Sequence, residues 1–264
     1  MNKVFHDYDQ AELDRQYEQR SFVPHADEII KRWGVLSDEV RSRIGEPRTL
    51  AYGATPVEQL DLYGADKDRV VAFVHGGAWK RMSKRPNAFP AEIFIKAGAS
   101  YVAIGFGLLP SITLPEMAAQ VVRALDFLQR ELKPKKLVLI GHSSGAHLAA
   151  CALTLLEFPK SALLVSGVYD LLPVRLSARN EYLRIDQRLE HEYSPIRHVG
   201  RIKSAVTVAW GENEGAEFFR QSKEFAQKLG APTLVGGGLN HFEMIETLAD
   251  PRSPLARAAL TMVR

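Results

Sequence analysis

Between Leu137 and Leu148 a short apolar run, Leu137-Val-Leu-Ile140, enters Gly141-His142-Ser143-Ser144-Gly145 and leaves as an apolar helix rich in small residues. A strand can reverse so tightly into a helix only where no side chain obstructs the turn, and Gly141 and Gly145 remove two that would. The residue at the apex, Ser143, is then held in a strained backbone conformation with its hydroxyl exposed. The first amide groups of the following helix face whatever negative charge forms beside it. A G-x-S-x-G pattern is common by chance in loops, so its weight comes from its place between strand and helix. Ser143 is the candidate nucleophile.

The rest of the chain alternates in the same way. Strands are expected at 48–52, 58–63, 70–75, 101–106, 136–140, 162–166 and 205–210, with helices at 88–97, 114–132, 144–156 and 216–229. Near-continuous apolar strands such as Val70-Val-Ala-Phe-Val74 suit a parallel sheet covered on both faces. Strand and helix in alternation imply right-handed crossovers, so the expected fold class is α/β, a doubly wound, mostly parallel sheet with helices on both faces. Sites in such sheets lie at the carboxyl ends of the strands. A chain of 264 residues fits a single domain over 1–264. Within it, 1–45 is expected to form an N-terminal helical arm, and about 170–195 a short helical cap over the site.

Composition narrows the partners. The 34 Lys and Arg nearly balance the 31 Asp and Glu, and the basic residues are scattered, which argues against nucleic acid. The first residues lack the apolar core of a leader and no run approaches membrane-span length, so a cytoplasmic location without membrane contact is expected. Cys151 is the sole cysteine, which rules out an intrachain disulfide, and among Leu148, Ala149 and Ala152 it reads as a packed thiol. No H-E-x-x-H motif or cysteine cluster occurs, and no metal or cofactor is expected. An edge strand or the arm leaves room for a homodimer without demanding one.

A second motif follows the strand at 70–75. In His75-Gly76-Gly77-Ala78-Trp79 a glycine-rich turn exposes backbone N–H groups of the kind that stabilise the oxyanion of a tetrahedral intermediate. The hole is assigned to the N–H groups of Gly77, Ala78 and Ser144. A plain tight turn is the bland alternative, and His75, ahead of both glycines, reads as a brace for the loop. The base is sought after the nucleophile, because the triad in this kind of fold runs Ser, acid, His. His241, on a loop past the last strand and beside Asn240, is the candidate. His6, His25, His191 and His198 read as solvated, whereas His142 and His147 flank the elbow.

The acid should follow the strand at 205–210, where the chain reads Gly211-Glu-Asn-Glu214-Gly-Ala-Glu217. A Gly-x-x-acid turn favours Glu214, with Glu212 second. Glu217 belongs to the first turn of the next helix, where its charge meets the positive dipole end.

With these residues in place, the chain resembles an α/β-hydrolase of the kynurenine formamidase (arylformamidase) type. The resemblance rests on Tyr17-Glu-Gln-Arg-Ser-Phe-Val-Pro24 with Arg32-Trp33, on 75–79, and on Leu109-Pro110 with Thr113-Leu114. It continues through 141–148, Ser166-Gly-Val-Tyr-Asp-Leu171, Ser194-Pro195, Glu217-Phe-Phe-Arg-Gln-Ser222 and Asn240-His-Phe242. It implies the α/β-hydrolase fold and places the acid on Glu214, where the family generally carries aspartate. Gly105-Phe106-Gly107 is a second departure, from Tyr-Asp.

The resemblance further implies metal-free cleavage of a small amide or ester through an acyl-enzyme, with Ser143 attacking and His241 moving the proton. Trp79, Phe106, His142, Tyr169 and Phe242 are expected to border the pocket and to favour an aromatic substrate. Arg175, Arg179 and Arg184 in the cap read better as a solvated face than as contacts for an anion. An N-formyl or N-acyl aromatic amine leads, and a carboxylesterase for short-chain aryl esters comes second. A non-catalytic ligand-binding protein on the same fold is third, weakened by the intact Ser143, His241 and acid.

Overall fold

A computed structural model describes residues 3–264. One eight-stranded sheet runs through it in the order β1-β2-β4-β3-β5-β6-β7-β8. The strands are β1 (Arg48–Ala51), β2 (Gln59–Tyr63), β3 (Arg69–Val74), β4 (Ser100–Ile104), β5 (Lys136–His142), β6 (Ser161–Val165), β7 (Ala205–Gly211) and β8 (Thr233–Gly236). The six from β3 to β8 are mutually parallel; β2 pairs antiparallel with β4, and β1 antiparallel with β2. The helices are α1 (Gln10–Gln16), α2 (Ala26–Ile44), α3 (Ala91–Lys96), α4 (Leu114–Glu131), α5 (Ser144–Leu153) and α9 (Ala216–Leu229), followed by α10 (His241–Glu246) and α11 (Pro254–Val263). Between β6 and β7 lie the cap helices α6 (Leu172–Leu176), α7 (Asn180–Leu183) and α8 (Gln187–Glu192).

The apolar strands read as runs because both faces of the sheet are covered. Val70, Ala72 and Val74 point into one core with α4, α5 and α9, whereas Val71 and Phe73 point into the other with α2, α3 and α11. Leu137 and Leu139 of β5 and Ala162 and Leu164 of β6 join the first core, and Val138, Ile140, Leu163 and Val165 the second. Truncating one such fully buried leucine to alanine typically costs about 2–5 kcal/mol. This two-sided packing fixes β3 and β5 side by side, with Val74 opposite Gly141. The loops leaving the two strands therefore emerge next to each other.

Several boundaries differ from the sequence expectation. The helix expected at 88–97 is shorter, because Pro90 stands at its N-cap and the preceding turn, Arg85–Asn87, is 3-10. The helix expected at 144–156 ends at Leu153. The stretch 233–236, absent from the expected strands, is the edge strand β8, and α11 had no counterpart in the expectation. The cap is stitched at its base, where Ser194 Oγ accepts from the Leu171 N–H at 2.9 Å and donates to the Glu190 carbonyl at 2.5 Å. No helix among the described residues is long and apolar enough to cross a membrane.

Candidate active site

Ser143 sits at the junction of β5 and α5 with φ 56° and ψ −126°, a left-handed conformation that a non-glycine residue adopts only under constraint. Close approach on three sides enforces it. A Cβ on Gly145 would stand 2.2 Å from the Val74 carbonyl oxygen, one on Gly141 2.7 Å from Ala146 Cα, and one on Gly76 2.9 Å from Ser143 Cβ. The Ser143 N–H is anchored to the Val165 carbonyl at 2.9 Å. These glycines thus let the loop after β3 lie against the elbow.

His241 Nε2 lies 3.0 Å from Ser143 Oγ, and its Nδ1 lies 2.9 Å from Glu214 Oε2. The carboxylate can only accept, so Nδ1 carries the proton and Nε2 is left to accept from the serine hydroxyl. His241 is the first residue of α10, a correction to its expected place on a loop. Asn240 caps that helix by accepting from the Phe242 and Glu243 N–H groups, and Glu243 accepts from the Asn240 N–H in return. The cap fixes where the imidazole begins. Phe218 stands edge-on to the ring with centroids 4.9 Å apart.

Glu214 ends the turn after β7, and its side chain is wholly buried. Its Oε1 accepts from Ser166 Oγ at 2.5 Å and from the Gly211 N–H at 2.6 Å. Glu212 turns away, accepting from the Gly238 N–H at 2.8 Å on the exposed side of the turn. Glu217 lies in the first turn of α9 as expected, but it is fully buried, held by a bidentate pair with Arg220 and by the Tyr17 hydroxyl at 3.1 Å.

In the loop after β3, Gly77, Ala78 and Trp79 all have positive φ, at 114°, 53° and 61°. Two of the three are non-glycine, a local cost of about 1–3 kcal/mol each that the surroundings must hold in place. The Gly77 carbonyl accepts from Lys80 and Arg81, and the Trp79 N–H donates to Ser144 Oγ at 3.2 Å. The N–H groups of Gly77, Ala78 and Ser144 donate to no other group among the described residues. His75 braces the loop, as expected, through Nδ1 to the Gly76 carbonyl at 2.8 Å. Burial pushes its pKa down to about 4.

Ser143 and His241 open into a cleft of about 400 Å³ whose walls include Trp33, Trp79, His142, Tyr182, Phe218 and Phe242. The volume is within the range of small-molecule sites. Two expected wall residues are elsewhere. Phe106 stacks on His75 with centroids 4.3 Å apart, and Tyr169 stacks on Phe225 at 4.1 Å; both are buried behind the cleft. Standing near a strand end did not decide which way these rings point.

His142 donates Nε2–H to the His241 carbonyl at 3.1 Å, and burial, then the neighbouring His241, holds its pKa well below the usual range. His147 is a strut between Trp79 and Tyr193. Two of the three cap arginines also depart from a solvated face. Arg175 pairs with Glu190 at 2.7 Å, and Arg179 donates to the Tyr17 carbonyl at 2.8 Å and to the Tyr182 hydroxyl at 2.7 Å while lining the cleft. Arg184 remains exposed. No local pattern marks Ser166, Phe218, Trp33 or Tyr182 as site residues, although the first three fall within segments of the family resemblance.

The packed thiol of Cys151 is buried, and burial raises its pKa. Among the described residues, no group of three or more His, Cys, Asp or Glu side chains is arranged to hold a metal ion.

Comparison with known proteins agrees with this architecture. Residues 60–160 match the BD-FAE family. A protein of Silicibacter sp. tm1040, provisionally described as a thioesterase, superimposes with a TM-score of 0.87 at 25% identity, covering 96% of this chain and 98% of that one. The kynurenine formamidase of Salmo salar is 31% identical over 286 residues, 97% of each chain. That of Danio rerio is 30% identical over 280 residues, 96% of each. Near-complete coverage in both directions, on a sheet and elbow of this form, means that the chain belongs to the kynurenine formamidase family of α/β-hydrolases.

Proposed function

We propose that this protein is a serine hydrolase that cleaves a small amide or ester through an acyl-enzyme, its leading substrate an N-formyl or N-acyl aromatic amine. The observation that carries the reading is the unbroken relay from Ser143 Oγ through both His241 nitrogens to Glu214, at 3.0 and 2.9 Å. Ser143 attacks the carbonyl as its proton passes to His241 Nε2. Glu214 keeps the other proton on Nδ1 and stabilises the imidazolium that forms. The N–H groups of Gly77, Ala78 and Ser144 receive the oxyanion; losing one such donor typically costs about 2.7–4 kcal/mol in the transition state. His241 then returns its proton to the departing amine or alcohol, which breaks the C–N or C–O bond. A water molecule, deprotonated by the same nitrogen, releases the acid and restores Ser143. The route uses protein groups and one water molecule, and no step calls for a metal ion.

The aromatic cleft walls and the formamidase relatives support an aryl amide. Ester cleavage is the second reading, favoured by the thioesterase description of the Silicibacter protein, since the same relay serves an easier leaving group. Turnover of N-formylkynurenine beside a short-chain aryl ester, with wild type and Ser143→Ala in parallel, tests both. Deformylation that falls by on the order of 10⁶ in the variant supports the first. Ester turnover without deformylation supports the second, and activity untouched by the substitution would remove Ser143 from the chemistry.

A further inference from the structure

Glutamate in place of aspartate as the acid brings an extra methylene and an extra torsion, so a carboxylate that is to face His241 needs something to stop its rotation. Two donors meet Glu214 Oε1, and only one is a side chain: Ser166 Oγ at 2.5 Å, beside the Gly211 N–H at 2.6 Å. Because the carboxylate is acceptor-only, the serine hydroxyl must donate. With Oε1 held from two directions, Oε2 is left 2.9 Å from His241 Nδ1.

The backbone of Ser166 is built for this. It follows the last residue of β6, is fully buried, and has φ 54°, a left-handed conformation that a serine adopts at a cost. Its N–H is tied to the Ala209 carbonyl of β7 at 2.7 Å. The adjacent Gly167 admits no side chain, since a Cβ there would stand 2.3 Å from the Tyr169 hydroxyl. Strain held by strand pairing and a forced glycine delivers one hydroxyl to one carboxylate oxygen.

Resting on the triad reading above, we propose that Ser166 is a positioning residue for the reaction, acting through Glu214 by fixing its rotamer. Its hydroxyl bonds Glu214 and not Ser143, and it is not among the residues that line the cleft. Charge-assisted hydrogen bonds of this kind predict that Ser166→Ala lowers kcat by about 10- to 100-fold with KM within about twofold of wild type. The effect should depend on the carboxylate: in a Glu214→Ala background, adding Ser166→Ala should change kcat by less than about twofold. Ser166→Gly, which also removes the hydroxyl but suits the positive φ, should match Ser166→Ala and guards against a variant that fails to fold.

Unchanged kcat in both Ser166 variants overturns the proposal. So does an equal loss in the Glu214→Ala background, which would make Ser166 a structural residue independent of the acid. A change confined to KM would do the same by making it a substrate contact. If Glu214→Ala alone leaves kcat intact, the triad reading itself fails and the proposal falls with it.

Discussion

Trp79 donates its indole N–H to Nδ1 of His147 at 3.2 Å, tying the donor loop after β3 to the helix that follows Ser143. An indole N–H can only donate, so Nδ1 is unprotonated and the ring proton sits on Nε2, where it is given to the Tyr193 carbonyl at 2.8 Å. One neutral imidazole therefore joins the loop, the elbow helix and the end of the cap. His147→Phe fills the space but leaves the buried Trp79 donor unpaired and the Tyr193 carbonyl with only the weak Cys151 thiol, at 3.7 Å, a loss of about 1–3 kcal/mol for each bond removed. A loss of about 2–5 kcal/mol in urea unfolding is expected, and unchanged stability would show that the link contributes nothing net.

The same burial makes the fold sensitive to acid. His75 and His147 are both pushed down to about 4, with desolvation the main cause, and His142 lies well below its usual range for the same reason. An unfolded chain takes up these protons near pH 6.5, before the folded one can, so stability rises with pH in this window. Their contribution is complete above about pH 6.5 and is lost as pH falls toward 4. Each histidine adds up to about 1.4 kcal/mol per pH unit to the slope. Unfolding curves at pH 7.5, 6 and 5 should show a progressive loss, shallower in His147→Gln. A flat profile over that range would mean these rings take up protons as readily in the native state as in the unfolded chain.

Steric tests separate the elbow from its surroundings. Gly145→Ala would drive a Cβ to 2.2 Å from the Val74 carbonyl oxygen, and Gly77→Ala combines φ +114° with a Cβ 2.1 Å from the Arg81 carbonyl oxygen. Both collide with backbone, which cannot rotate aside. Each should cost at least about 100-fold in turnover, since shifting the loop by an ångström misplaces the proposed oxyanion donors. Gly230→Ala, at a helix end with open space around it, should leave turnover near wild type despite its positive φ. Equal activity in all three variants would show that the loop does not need this close approach.

What the sequence disclosed follows from where the information is local. The elbow, the loop after β3 and His241 could be read because each is a short contiguous motif, and the central strands because burial on both faces leaves an apolar run. Phe106 and Tyr169 were misplaced because proximity to a strand end says nothing about side-chain direction. Glu217 reads from its helix position as a partner of the dipole, with nothing to mark it as buried. Its burial depends on Tyr17, some two hundred residues earlier in the chain, whose hydroxyl donates to it. Ser166 and Gln19 are silent for the same reason: each acts on a turn contributed by a distant segment.

That distance yields a test of the arm. Gly215, the N-cap of α9, supplies no side-chain cap, and its N–H is accepted instead by Gln19 Oε1 at 3.2 Å; the Glu217 N–H goes to Gln16 Oε1, also at 3.2 Å. The N-terminal arm thus caps the helix that begins two residues past Glu214. Gln19→Ala should lower stability by about 1 kcal/mol, as loss of a cap does, and reduce kcat a few-fold with KM unchanged. Thermal unfolding with steady-state kinetics on the full chain reads both. Lost stability with an intact kcat would show that the arm supports the fold without tightening the acid turn.

Glu214 and Glu212 offer the sharpest contrast in the site, because they share one turn and differ only in where they point. Glu214 is buried against His241 and Ser166, whereas Glu212 accepts from the Gly238 N–H on the exposed side. Glu214→Gln preserves shape but removes the charge proposed to stabilise the imidazolium, and its amide can donate to Nδ1 and force the wrong tautomer. That should lower kcat on the order of 10⁴-fold. Glu212→Gln retains an oxygen for Gly238 and should leave kcat within about twofold, because no charge near the reacting atoms changes. Glu214→Asp separates reach from charge: the shorter side chain keeps the carboxylate but cannot span from Gly211 and Ser166 to His241 without the turn moving inward. Its kcat should fall between those of wild type and Glu214→Gln. A larger loss from Glu212→Gln than from Glu214→Gln would reassign the acid.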